Sequence, residues 1–173
     1  MKKFFFAILT LCLGLGISGN VSAATLSTSP DEDENITWEV IEEPIEDGHV
    51  APEETFGLSD EDPFSGIVPF GTSRPSSVWN IATKGQYDFA GSTGGQTLYT
   101  NYKFKGKTSY SIKVNNTGSN PITVKAKRLT KTYASTKISG GKSATIEFSN
   151  IQKDTEFYIT FDGSGIKFDG FIK

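Results

Sequence analysis

The stretch Ser109-Tyr110-Ser111-Ile112-Lys113-Val114-Asn115-Asn116-Thr117-Gly118-Ser119-Asn120-Pro121-Ile122-Thr123-Val124-Lys125-Ala126-Lys127 decides the fold class. Tyr110, Ile112 and Val114 alternate with Ser109, Ser111 and Lys113. Ile122, Val124 and Ala126 alternate with Thr123, Lys125 and Lys127. Successive side chains of a strand point to opposite faces, so each run offers one apolar and one polar face. Residues 116–120 between them are turn formers. Pro121 heads the second run, where a strand loses no ladder donor.

The same pattern extends both ways. Upstream, Leu98, Thr100, Tyr102 and Phe104 share one face of a strand, and Tyr99, Asn101 and Lys103 share the other. Val78-Trp79-Asn80-Ile81-Ala82 and Gln86-Tyr87-Asp88-Phe89-Ala90 read as short strands, separated by Lys84-Gly85 and followed by the loop 91–95. Downstream of Ser139-Gly140-Gly141, Ala144, Ile146 and Phe148 alternate with Thr145 and Glu147. Phe157, Ile159 and Phe161 then alternate with Tyr158 and Thr160. Asp162-Gly163-Ser164-Gly165 has hairpin composition and leads into Ile166-Lys167-Phe168. No ten-residue window beyond Ala24 shows a 3.6-residue apolar period. About eight short strands with one apolar face each predict an all-β chain, a single antiparallel β-sandwich of jelly-roll or immunoglobulin-like type. Phe89, Phe104, Ile112, Val124, Ile146, Phe148, Ile159 and Phe161 are the expected core.

The formal net charge of −3 hides an uneven distribution. Residues 24–63 carry fourteen Asp and Glu and no Lys or Arg, whereas residues 64–173 carry fifteen Lys and Arg against six acids. An arm of −14 is thus joined to a domain of +9. The arm also holds four of the seven prolines and few apolar residues, so residues 24–63 are expected to be a disordered acidic linker or pro-segment. The exception is Ile36-Thr37-Trp38-Glu39-Val40-Ile41, which alternates imperfectly and could pair with another surface. Residues 64–173 are expected to form the sandwich.

Residues 1–23 read as a secretory signal peptide. Lys2 and Lys3 precede an apolar run at 4–17, shorter than the roughly 20 residues a bilayer span needs. Val21-Ser22-Ala23 supplies small residues for cleavage after Ala23. The expected product is secreted and bacterial in character, given that lysine so outnumbers arginine. Cys12 is the only cysteine and lies in the signal, so the mature chain has neither disulfide nor thiolate chemistry.

Several chemistries are disfavoured. His49, the only histidine, falls in the acidic arm, so a Ser–His or Cys–His pair inside the domain and the usual Cys/His zinc sites are not expected, and no metal or cofactor is expected. His49 could act as a base only if the arm folded back. The domain's carboxylates are Asp88, Glu147, Asp154, Glu156, Asp162 and Asp169. A glycan hydrolase needs two of them facing each other across a cleft, which their turn and strand positions do not suggest. Binding is the better class. Tyr99, Asn101, Lys103 and Tyr158 lie on polar strand faces, and with Trp79 they offer rings, an amide and an ammonium to a sugar or an anion. Trp79 and Tyr133 are of undecided face. A +9 domain favours anionic partners, which outside a cell means cell-wall polymers, anionic lipid headgroups and acidic glycans rather than nucleic acid.

Leu98-Tyr99-Thr100-Asn101-Tyr102, Gly106-Lys107-Thr108, Ser111 and Val114-Asn115-Asn116-Thr117-Gly118 together resemble a stretch of the lactococcin-type secreted β-sandwich bacteriocins. The resemblance implies a small, cationic, disulfide-free protein acting on cell-wall assembly. The histidines of that stretch are missing here and the acidic arm is extra. The leading expectation is a secreted, non-enzymatic β-sandwich that binds an anionic cell-envelope polymer or glycan. The alternative is an antibacterial protein whose acidic arm masks a cationic domain, and a carboxylate-dependent glycan hydrolase comes third.

Overall fold

A computed structural model describes residues 36–50 and 71–173. The expected signal peptide with Cys12, and the parts 24–35 and 51–70, lie outside the described residues. Eleven strands and one short helix follow in the order β1 (Thr37–Pro44), β2 (Val78–Asn80), α1 (Ile81–Lys84), β3 (Tyr87–Thr93), β4 (Leu98–Tyr99), β5 (Lys103–Lys105), β6 (Ser109–Asn116), β7 (Ile122–Arg128), β8 (Lys131–Ile138), β9 (Lys142–Ser149), β10 (Tyr158–Asp162) and β11 (Ile166–Ile172). They form a five-stranded sheet of order β1-β9-β6-β11-β3, a four-stranded sheet of order β4-β10-β7-β8, and the small pair β2-β5. Pairing is antiparallel throughout except between β2 and β5, which run parallel.

The chain is the expected all-β sandwich. All eight predicted core residues are buried, and the two larger sheets meet through them. Phe161 of the four-stranded sheet stacks on Phe168 of the five-stranded sheet, with ring centroids 4.2 Å apart, and Phe89 lies 5.2 Å from Phe161. Tyr110 and Tyr133 are buried in the same core.

Four details differ from the sequence reading. First, Thr37–Pro44 is a full strand rather than part of a disordered linker: it pairs with β9 over all eight residues, from Thr37 with Ser149 to Pro44 with Lys142. Trp38 is 1% exposed and packs edge-on against Phe148. The fold therefore begins well before residue 64, because the alternating Trp38 and Val40 bury enough apolar surface to outweigh the charge around them. Second, Lys131–Ile138 forms a strand, hairpinned to β7. Third, Ile81–Lys84 is a helical turn rather than a strand continuation. The Asn80 side chain accepts from the Ala82 amide, a standard N-cap. The 98–104 run is likewise split into β4 and β5. Fourth, the turn 163–165 does not close a hairpin: β10 and β11 belong to different sheets, so this turn carries the chain across the sandwich. At Gly170 a Cβ would collide with the Lys113 carbonyl, so β11 can approach β6 only with glycine there.

Candidate functional site

Two of the five expected ligand residues, Tyr99 and Tyr158, lie on the polar face of the four-stranded sheet. Antiparallel register places Tyr99 opposite Thr160, Thr160 opposite Lys125, and Tyr158 opposite Lys127. Directly opposed residues share a face, so Tyr99, Tyr158, Lys125 and Lys127 lie together. Lys137 joins them, opposite Thr123. Lys125 is tied to Asp162 at 2.8 Å.

Tyr158 points away from the core as expected, yet it is buried rather than exposed. Its ring packs 5.9 Å from that of Tyr99, and its hydroxyl donates to the Leu129 carbonyl at 3.2 Å. Burial pushes its pKa up, opposed by the charge of Arg74.

Beside Tyr158 opens a groove of about 400 Å³, lined by Arg74, Pro75, Lys103, Arg128, Leu129, Asp154, Glu156 and Tyr158. Arg74 and Arg128 are the only arginines of the chain, and both are exposed. Among the described residues no carboxylate lies within ion-pair distance of either guanidinium. Lys103 is paired with Glu156 at 2.7 Å, and Lys105 approaches the same carboxylate at 3.9 Å. The Lys103 hydrogen bond, with the charges of Lys103, Lys105 and Arg128, holds Glu156 below the usual carboxyl range despite some burial. A general acid needs the opposite shift, so Glu156 is not tuned for that role.

The other expected residues are dispersed. Asn101 is half-buried in the turn between β4 and β5. Trp79 is built into an aromatic cluster with Tyr87 and Tyr102, its indole N–H donates to the Gly85 carbonyl at 3.1 Å, and the Lys84 ammonium sits 4.8 Å over its ring. That cluster buries Tyr87 enough to push its phenol up to about 12. Both arginines were missed in the sequence. Their rarity was a usable signal, but Arg74 and Arg128 are 54 residues apart and only the fold brings them together.

No family model, curated protein or solved structure matches this chain.

A second polar cluster crosses the outer face of the five-stranded sheet. Glu43, Ser143, Asn115 and Asp169 stand in register on β1, β9, β6 and β11. The Ser143 hydroxyl donates to Asn115 Oδ1 at 2.8 Å, and Asn115 Nδ2 donates to Asp169 Oδ1 at 2.7 Å. His49 closes the row, with Nε2 3.0 Å from Asp169 Oδ2. The arm thus does fold back onto the domain. The arrangement is not a nucleophile relay, because the Ser143 hydroxyl is turned to Asn115 and the imidazole nitrogen to Asp169. It anchors the segment that follows β1. Among the described residues, no three His, Cys, Asp or Glu side chains are grouped to hold a metal ion.

Proposed function

We propose that the protein is a secreted, non-enzymatic β-sandwich that binds an anionic polymer or acidic glycan of the cell envelope in the groove between Arg74 and Arg128. The observation that carries this reading is the convergence on one groove of two exposed guanidiniums that, among the described residues, have no carboxylate within ion-pair distance. A guanidinium presents a planar fork that matches phosphate and carboxylate oxygens. Burying Tyr158 under the groove, with its ring tilted against that of Tyr99, adds a wall to the site. Lys127 and Lys137 extend positive charge along the same sheet face, beside the Lys125–Asp162 pair, which favours a long polyanion over a single small one.

The test is retention on immobilised teichoic acid and on peptidoglycan at graded salt. The parent chain should be retained, and the double substitution Arg74→Gln with Arg128→Gln should elute at clearly lower salt. Equal elution of the two would overturn the reading. Measurable glycan hydrolysis by the parent, lost on substituting Asp154 or Glu156, would replace it with the hydrolase alternative.

A further inference from the structure

The β7–β8 hairpin turns through only two residues, Leu129 and Thr130, between the paired Arg128 and Lys131. Leu129 has a φ of 51°. The first loop residue of such a tight hairpin is ordinarily Gly, Asn or Asp where φ is positive, because a larger side chain is strained there. Leu129 is also 67% exposed, so it gains no burial in return. Its backbone is nonetheless fixed, since its carbonyl accepts the Tyr158 hydroxyl from below. An apolar side chain held in a strained conformation and pushed into water points to a use outside the fold.

The neighbours of this tip say what it meets. Lys127 and Arg128 precede it and Lys131 follows, the last with its ammonium 4.9 Å over the Tyr133 ring. The other two exposed large apolar residues among those described, Ile41 and Val50, lie in the acidic segment beside Glu42, Glu43, Glu46 and Asp47. Only Leu129 combines exposure with a cationic collar.

We propose that the β7–β8 tip docks on an anionic lipid surface, Leu129 entering the interfacial layer while Lys127, Arg128 and Lys131 lie among the headgroup phosphates. Apolar insertion and basic attraction are the two terms that such surface binding needs together. The tip adjoins the proposed anion groove, whose rim includes Arg128 and Leu129, but the lipid contact is carried by Leu129 and its cationic collar alone.

The test uses the chain from Ala24 onward, so that the apolar run 4–17 does not itself bind lipid. Its intact fold is first verified by a cooperative thermal transition. Vesicles of phosphatidylcholine alone are compared with vesicles containing phosphatidylglycerol. The parent should sediment with the anionic vesicles only. Leu129→Gly should fold at least as stably, since glycine adopts this φ freely, yet bind anionic vesicles roughly tenfold more weakly. A polarity-sensitive dye on Leu129→Cys, the sole thiol of this chain, should shift to the blue on anionic vesicles. Unchanged vesicle affinity of Leu129→Gly, an unshifted dye, or equal binding to neutral vesicles would overturn the proposal. Arg74→Gln, which alters the groove and not the tip, separates the two sites: it should weaken retention on teichoic acid and leave vesicle binding unchanged. If the parent is not retained on teichoic acid but its vesicle binding still depends on Leu129, the groove reading fails and the lipid contact stands.

Discussion

The imidazole of His49 lies 3.0 Å from the carboxylate of Asp169, 120 residues further along the chain. Asp169 is buried, and Asn115 shares its other oxygen. Replacing Asp169 with Ala leaves the Asn115 amide buried without that acceptor, a loss of about 1–3 kcal/mol in urea unfolding. His49→Ala should cost less in global stability, since the ring is partly exposed, but should speed proteolytic cleavage within residues 45–50. Unaltered cleavage there would show that the ring does not hold the segment down.

Trp38 should be the anchor of β1. Trp38→Ala should cost about 3–5 kcal/mol, as for other large aromatic truncations in a core. Trp38→Phe should cost markedly less, because the buried indole N–H has no hydrogen-bond partner among the described residues to lose. Equal losses for the two would mean that the indole is satisfied in solution. A chain starting at residue 64 lacks this strand altogether and should unfold at much lower temperature than one starting at Ala24.

Acid should weaken the four-stranded sheet through Asp162. Its burial acts to raise the carboxyl pKa, but hydrogen bonds from Lys125 and Thr97 and the charges of Lys125 and Lys127 outweigh it, and the value is lowered overall. A folded value below the unfolded one gives stability that is present above the unfolded carboxyl pKa of about 4 and is lost as pH falls through the depressed folded value. The stability difference between the parent and Lys125→Met should therefore be constant near neutrality and shrink as pH falls below the unfolded carboxyl value of about 4. A difference that persists to the acid limit would exclude the pairing as its source.

Glu156→Gln should strengthen polyanion binding. It removes the negative charge that engages both Lys103 and Lys105 at the groove. The gain should be a few-fold at low salt and vanish near 1 M, where charges are screened within about 3 Å. Weaker binding at low salt would mean that Glu156 positions Lys103 for the ligand.

Strict alternation made the two-sheet core legible: Ile112, Val124, Ile146, Ile159 and Phe161 are all fully buried. Strand β8 was not, because Lys131, Thr132, Ser135, Thr136 and Lys137 leave only Tyr133, Ala134 and Ile138 as its buried contribution. Strand β1 was obscured by its setting, since charge density speaks for a whole window while Trp38 acts at one position. Tyr158 shows a different limit. Alternation assigned its face, but the Tyr99 ring and the Leu129 carbonyl that cover it come from other parts of the chain. The arginine groove and the His49 contact depend on register between distant strands, which local pattern does not encode.

The place of β1 beside β9 also sets an order of events in folding. The first strand described finds its partner only when residues 142–149 are available, and β9 must in turn meet β6 and, through it, β11. Such non-local pairing makes for slow folding, and until it is complete Trp38 waits in solvent. The acids flanking it, from Asp31 to Asp47, would keep that waiting segment soluble by mutual repulsion. The charge that hides the strand from a reader of the sequence would thus protect it from premature association in the emerging chain.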